Sequence, residues 1–91
     1  MELKDFIGQP CKSKSDYEFI PKKSQQLNLN QIASKLKNNG IEIEIETPYL
    51  LMLRVDLKSV SFFKSGKIIV KTVFEPEKAR KIAEKVISSL D

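Results

Sequence analysis

Histidine is absent from this sequence, and cysteine occurs once, as Cys11. Without histidine there is no imidazole base, no Cys–His nucleophile and no histidine ligand for a metal. A single cysteine permits neither an internal disulfide nor a four-cysteine zinc site. No apolar run approaches the ~18 residues that a membrane-spanning helix requires. Met1-Glu2-Leu3-Lys4-Asp5 does not read as a signal peptide, so a cytoplasmic chain with no membrane partner is expected. Arginine is nearly absent too. Only Arg54 and Arg80 stand among the 16 basic residues. The rest are lysines, which weakens any case for bidentate recognition of phosphate or base edges.

What is present suits a small folded domain. Hydrophobic residues make up 41% and charged residues 31% of 91 positions. That balance belongs to a soluble folded chain rather than a disordered one. A chain this short buries only about 60–65% of its unfolded surface, so its core is modest and two layers suffice. Twelve acidic residues leave a formal charge of +4. Lysine-rich surplus of this size reads first as solvated surface.

Residues 1–15 carry no clear period and read as a loosely ordered N-terminal arm, with residues 16–91 as one α+β domain. Gly8 and Pro10 punctuate the arm, and Leu3, Phe6 and Ile7 are its only apolar anchors. Asp16 to Ile20 alternates, with Tyr17 and Phe19 on one side and Glu18 and Ile20 on the other. Pro21 ends this strand and argues for an edge position. Asn28 is a good helix N-cap, with Gln31 three residues on. Leu29, Ile32, Ala33 and Leu36 form one apolar stripe. Asn39-Gly40 stops the helix.

Four strands are expected next. Ile41, Ile43 and Ile45 alternate with Glu42, Glu44 and Glu46. Leu50 to Val55 is nearly continuous apolar and reads as a central strand. Asp56-Leu57-Lys58 is a tight reversal before Val60 to Phe63. Lys64-Ser65-Gly66-Lys67 is a hairpin turn with Gly66 at the positive-φ position. Lys67 to Val73 is the last strand. Pro76 opens a final helix whose stripe is Ala79, Ile82, Ala83, Val86, Ile87 and Leu90. Short connections imply antiparallel neighbours. The fold class is α+β: a two-layer sandwich of about five antiparallel strands, in the order strand, helix, four strands, helix. Both helices lie on one face and the other face stays open.

From Leu27 to Leu90 this pattern resembles one repeat of the TATA-box-binding protein family. Leu27-Asn28-Leu29-Asn30-Gln31-Ile32-Ala33, Phe63-Lys64-Ser65-Gly66-Lys67-Ile68 and Glu75-Pro76-Glu77-Lys78-Ala79-Arg80-Lys81 carry the likeness. That family has two repeats and this chain has one. The chain is also similar to the small domain that ends some ThiF/MoeB-like adenylyltransferases, the E1-type enzymes that activate ubiquitin-like sulfur carriers. There the likeness rests on Cys11, Tyr17-Glu18-Phe19, Asn28 to Leu36, Pro48 to Val55, Gly66 and Glu75 to Arg80. The catalytic domain of those enzymes has no counterpart here, and their paired zinc-binding cysteines are reduced to Cys11. The second resemblance therefore implies an accessory domain rather than an enzyme, with an E1-like adenylyltransferase or a ubiquitin-like sulfur carrier as its partner.

The first resemblance implies nucleic-acid binding through the open sheet face, where the family wedges phenylalanines between base steps. Phe63 matches one such position; the other falls near Pro48 or Tyr49, so the pair is broken. Parity also opposes it. With the isoleucines beneath the helices, Glu42, Glu44 and Glu46 face outward beside Arg54, Lys67 and Lys71. Phosphate neutralisation drives nucleic-acid affinity, so a face without positive surplus should bind weakly at most.

Leu50, Met52, Phe63 and Ile69 share that face. Four such side chains form an apolar centre of roughly a few hundred Å², the range in which interaction is expected. Glu42, Glu44, Arg54 and Lys71 form its rim. The sequence thus points to a non-catalytic interaction module with no cofactor and no metal, binding an unknown protein partner or forming a homodimer.

Three rival motifs are weaker. Alternate glutamates on one strand stand about 6.8 Å apart, too far to hold one ion unaided. Ser65-Gly66-Lys67 echoes the end of a phosphate-binding loop but sits in a hairpin rather than at a helix start. Cys11 near Lys12 reads as an inert thiol.

Overall fold

The computed structural model describes residues 3–10, 16–23, 26–73 and 75–90. A single 3-10 turn, Leu3–Asp5, precedes strand β1, Phe6–Pro10. Strand β2 is Tyr17–Pro21 and helix α1 is Leu29–Asn38. Strands β3 (Glu42–Glu46), β4 (Leu50–Val55), β5 (Lys58–Phe63) and β6 (Ile68–Val70) follow. Helix α2, Pro76–Ser88, closes the described chain. The strands form one six-stranded antiparallel sheet in the order β1-β2-β6-β5-β4-β3.

Local chemistry accounts for the helix ends and turns. The Asn28 side-chain oxygen accepts from the backbone N–H of Asn30 at 3.0 Å and of Gln31 at 3.4 Å, satisfying two orphan donors of α1. Gly40 takes φ 81° just past the other end, where a side chain would be strained. Pro76 starts α2, where its missing N–H costs nothing. The β4–β5 hairpin turns on Asp56 and Leu57, at φ 51° and 66°, the left-handed pair of a two-residue turn that suits strand twist. Gly66, at φ 93°, turns the β5–β6 hairpin.

Both helices cover the same sheet face. Phe19, Leu51, Leu53, Val55, Val60, Phe62, Ile68 and Val70 point into one core with the stripes of α1 and α2. Each fully buried side chain of this size contributes about 1.5–3 kcal/mol. The helix C-terminal ends are fastened together: the Asn39 side-chain amide donates to the Ser89 carbonyl at 3.1 Å, and the Lys35 ammonium donates to the Leu90 carbonyl at 3.3 Å.

Two expectations are corrected. The first concerns the edge. β2 is not an edge strand, because β1 pairs with it from Phe6↔Pro21 to Pro10↔Tyr17. The sheet therefore has six strands where about five were expected, and the sixth comes from within the residues taken as an arm. Cys11 and residues 12–15 lie outside the described residues. Gly8 hid this strand from a periodicity argument, since it contributes no side chain to either face. The structure shows why glycine stands there. Gly8 pairs with Phe19, and a Cβ on Gly8 would meet the buried Phe19 ring at 2.8 Å. The aromatic side chain covers the glycine across the strand pair.

The second correction concerns parity in β3. Glu42 pairs with Arg54 and Ile43 with Leu53, but the next pairs are Ile45 with Met52 and Glu46 with Leu51. Glu44 is the extra residue of a β-bulge. A bulge shifts every later side chain to the opposite face. Ile43 therefore lies beneath the helices as expected, but Ile45 does not. It joins Met52 on the open face, while Glu46 turns to the helix side and pairs with Lys37 of α1 at 3.5 Å.

Candidate docking face

The sheet register places the open-face side chains in three rows running across the strands. The middle row is Ile45, Met52, Ser61, Ile69, Glu18 and Gln9. To one side run Leu50, Phe63, Lys67, Ile20 and Ile7, joined at Phe63–Lys67 by a backbone bond of 2.9 Å. To the other run Glu42, Arg54, Ser59 and Lys71, joined at Ser59–Lys71 by a second backbone bond of 2.9 Å, with Asp16 beyond.

Leu50, Met52, Phe63 and Ile69 all lie on this face, and all four are half-buried. Ile45 extends their cluster with 53% of its surface exposed, and Ile7 adds a second exposed isoleucine at the β1 end. Ser61 is buried among them, and its hydroxyl donates to the Met52 sulfur at 3.2 Å. Sequence reasoning missed Ile45 because period-two alternation assumes an unbroken ladder. It missed Ile7 because β1 was not recognised. No local signal marks the bulge, but the short chain Phe6-Ile7-Gly8-Gln9 does alternate once Gly8 is allowed as a strand residue.

Charges rim and cross the apolar centre. The Arg54 guanidinium meets the Glu44 carboxylate at 3.5 Å. Lys67 lies 3.8 Å from Glu18 and sits over the Phe63 ring, 5.2 Å from its centroid. The Gln9 side chain donates to Glu18 at 2.6 Å. Asp16 accepts from the Thr72 backbone N–H at 3.0 Å, which holds Thr72 at φ 59°. Among the described residues, Glu42 and Lys71 form no ion pair. Glu46 leaves the face, yet Asp16, Glu18, Glu42 and Glu44 still oppose Arg54, Lys67 and Lys71. The chain's basic surplus lies elsewhere, for example at the exposed Lys78, Arg80 and Lys81 of α2.

A groove of about 460 Å³ runs between the start of α1 and the β3–β4 connection, lined by residues that include Asn28, Glu46, Thr47 and Lys64. It holds one acid and one base of exposed character and no buried polar group without a partner. Among the described residues, no group of three or more His, Cys, Asp or Glu side chains converges to hold a metal. No described helix is long and apolar enough to cross a membrane.

A six-stranded antiparallel sheet with two helices on one face and an open second face defines a TATA-box-protein-like half. The chain belongs to the family described as transcription factor TFIID, or TATA-binding protein, whose sequence pattern matches residues 22–91. The match runs from α1 to α2; β1 and β2 precede it. No curated protein and no solved structure matches the chain.

Proposed function

We infer that this chain is a non-catalytic interaction module that docks a folded protein on its open sheet face. The supporting observation is the continuous cluster of Ile45, Leu50, Met52, Phe63 and Ile69, ringed by ion-paired side chains. Protein interfaces have this anatomy, an apolar centre with a polar rim. A contiguous exposed apolar patch costs solubility unless something covers it. The similarity to the tail of ThiF/MoeB-like enzymes makes an E1-like adenylyltransferase, or its ubiquitin-like sulfur carrier, the first partner to test.

Site-specific crosslinking tests the reading. A photoreactive residue at Met52 should trap one protein, identified by mass spectrometry, while the same residue at Lys81 on the helix layer should not. Addition of Glu44→Ala should leave that crosslink, and Phe63→Glu should remove it. A crosslink to nucleic acid, or to nothing, sinks the docking reading.

Family membership is compatible with a second reading, in which the same face binds nucleic acid. Four acids against three bases argue against it, because duplex affinity grows with phosphates neutralised. Titration of a fluorescent duplex across a salt series separates the two. Tight binding with a steep salt slope supports the nucleic-acid reading.

A further inference from the structure

The three rows have a symmetry that the individual residues do not announce. Consider a two-fold axis lying in the plane of the open face, parallel to the strands and midway between β4 and β5. Rotation about it sets β4 over β5 of a second copy, and β3 over β6. Because the axis runs along the strands, each row meets the same row. In the middle row Ile45 then faces Ile69 of the second copy, and Met52 faces Ser61. In the next row Leu50 faces Phe63. In the third, Arg54 faces Ser59, and Glu42 faces Lys71.

Apolar side chains thus meet apolar ones, and among the described residues of this face Glu42, an acid without an ion pair, meets Lys71, a base without one. Glu42 and Lys71 stand in the same row, three strands and roughly 14 Å apart. Within one molecule that distance leaves each without an ion pair. Across the two-fold axis the same spacing brings them together twice. The contacts are reciprocal, as an isologous interface demands. Two sheets facing each other with near-parallel strands is also an ordinary packing arrangement.

We propose that the open face is self-complementary and that its occupant is a second copy of this chain, packed face to face across a two-fold axis between β4 and β5. This rests on the docking reading above and names its partner. Edge pairing at β2 is closed, since β1 already fills that side and the sheet's edges are β1 and β3. The facing strands span roughly 20 by 17 Å, below the ~800 Å² per partner of a standard interface. The dimer is therefore weak and reversible.

Sedimentation equilibrium from about 10 μM to 1 mM tests it, at low and moderate salt. The wild-type chain should show a reversible monomer–dimer equilibrium in that range. Glu42→Lys and Lys71→Glu should each weaken it about tenfold, since each sets like charges opposite twice. The double variant E42K/K71E restores opposite signs and should return the dissociation constant to within about twofold of wild type. Far-ultraviolet spectra of all four proteins should coincide, as these side chains stand on the solvent side of the sheet. A chain that stays monomeric throughout, or a dimer indifferent to both single changes, or one not recovered by the double change, overturns the inference. The docking reading fails separately. If position 52 crosslinks a different protein while the chain is monomeric, only self-association is lost. If position 52 crosslinks nothing and the chain also stays monomeric up to about 1 mM, both are lost.

Discussion

Glu46 pairs with Lys37 of α1 at 3.5 Å, on the helix side of the sheet, although it alternates perfectly with Ile41, Ile43 and Ile45 in sequence. The extra residue at Glu44 makes this possible. It exchanges an isoleucine for a glutamate beneath the helix and delivers Ile45 to the open face. The exchange is reasonable at this spot. Lys37 is exposed, and a carboxylate can reach it while remaining partly solvated.

The bulge makes opposite forecasts for two neighbouring isoleucines. Ile43→Glu places a charge against the core and should cost about 2–3 kcal/mol or more. Ile45→Glu stays in solvent and should change stability by less than about 0.5 kcal/mol. Urea denaturation of the two variants decides it; equal losses would restore unbroken alternation.

Gly8→Ala should destabilise the chain by about 1–2 kcal/mol, because the new methyl meets a ring held in the core. For a domain of this size that lowers the melting temperature by roughly 4–15 °C. A smaller side chain at position 19 removes the clash but also empties the core, so G8A/F19L should fall short of additivity. Thermal melts of the three variants measure the coupling. Full additivity would mean that Gly8 and Phe19 do not touch.

Leu57 is 86% exposed at φ 66°, a conformation that costs an ordinary residue about 1 kcal/mol. Leu57→Gly creates Asp-Gly, the preferred pair for this hairpin turn. The variant should gain about 0.5–1 kcal/mol and melt a few degrees higher. A loss of stability would show that the leucine side chain is held by a contact despite its exposure.

Glu42→Lys with Glu44→Lys converts a slightly acidic face to a basic one. If the acids of this face limit its affinity for nucleic acid, the double variant should bind a duplex of about 30 base pairs at least tenfold more tightly than wild type at low salt. Its salt slope should steepen as well. Fluorescence anisotropy reads both, and unchanged affinity would show that the charge of this face does not set its affinity for nucleic acid.

Much of the fold was legible in the sequence because it is written in short-range chemistry. Asn28 and Asn39-Gly40 bracket α1 through hydrogen bonds and a positive φ. Pro76 opens α2. Gly66 turns its hairpin, and the apolar stripes of both helices fall at helical spacing, so each must be covered by the sheet. The open-face cluster of Leu50, Met52, Phe63 and Ile69 was legible for the same reason, since alternation in β4, β5 and β6 is unbroken. Tertiary structure alone decided the rest. Whether Phe6–Pro10 pairs depends on a ring from another strand closing over Gly8. Which way Ile45 and Glu46 face depends on the bulge at Glu44, which exists only in the pairing of β3 with β4. Local propensity cannot encode either choice, because the deciding atoms are supplied by segments that become neighbours only when the chain folds.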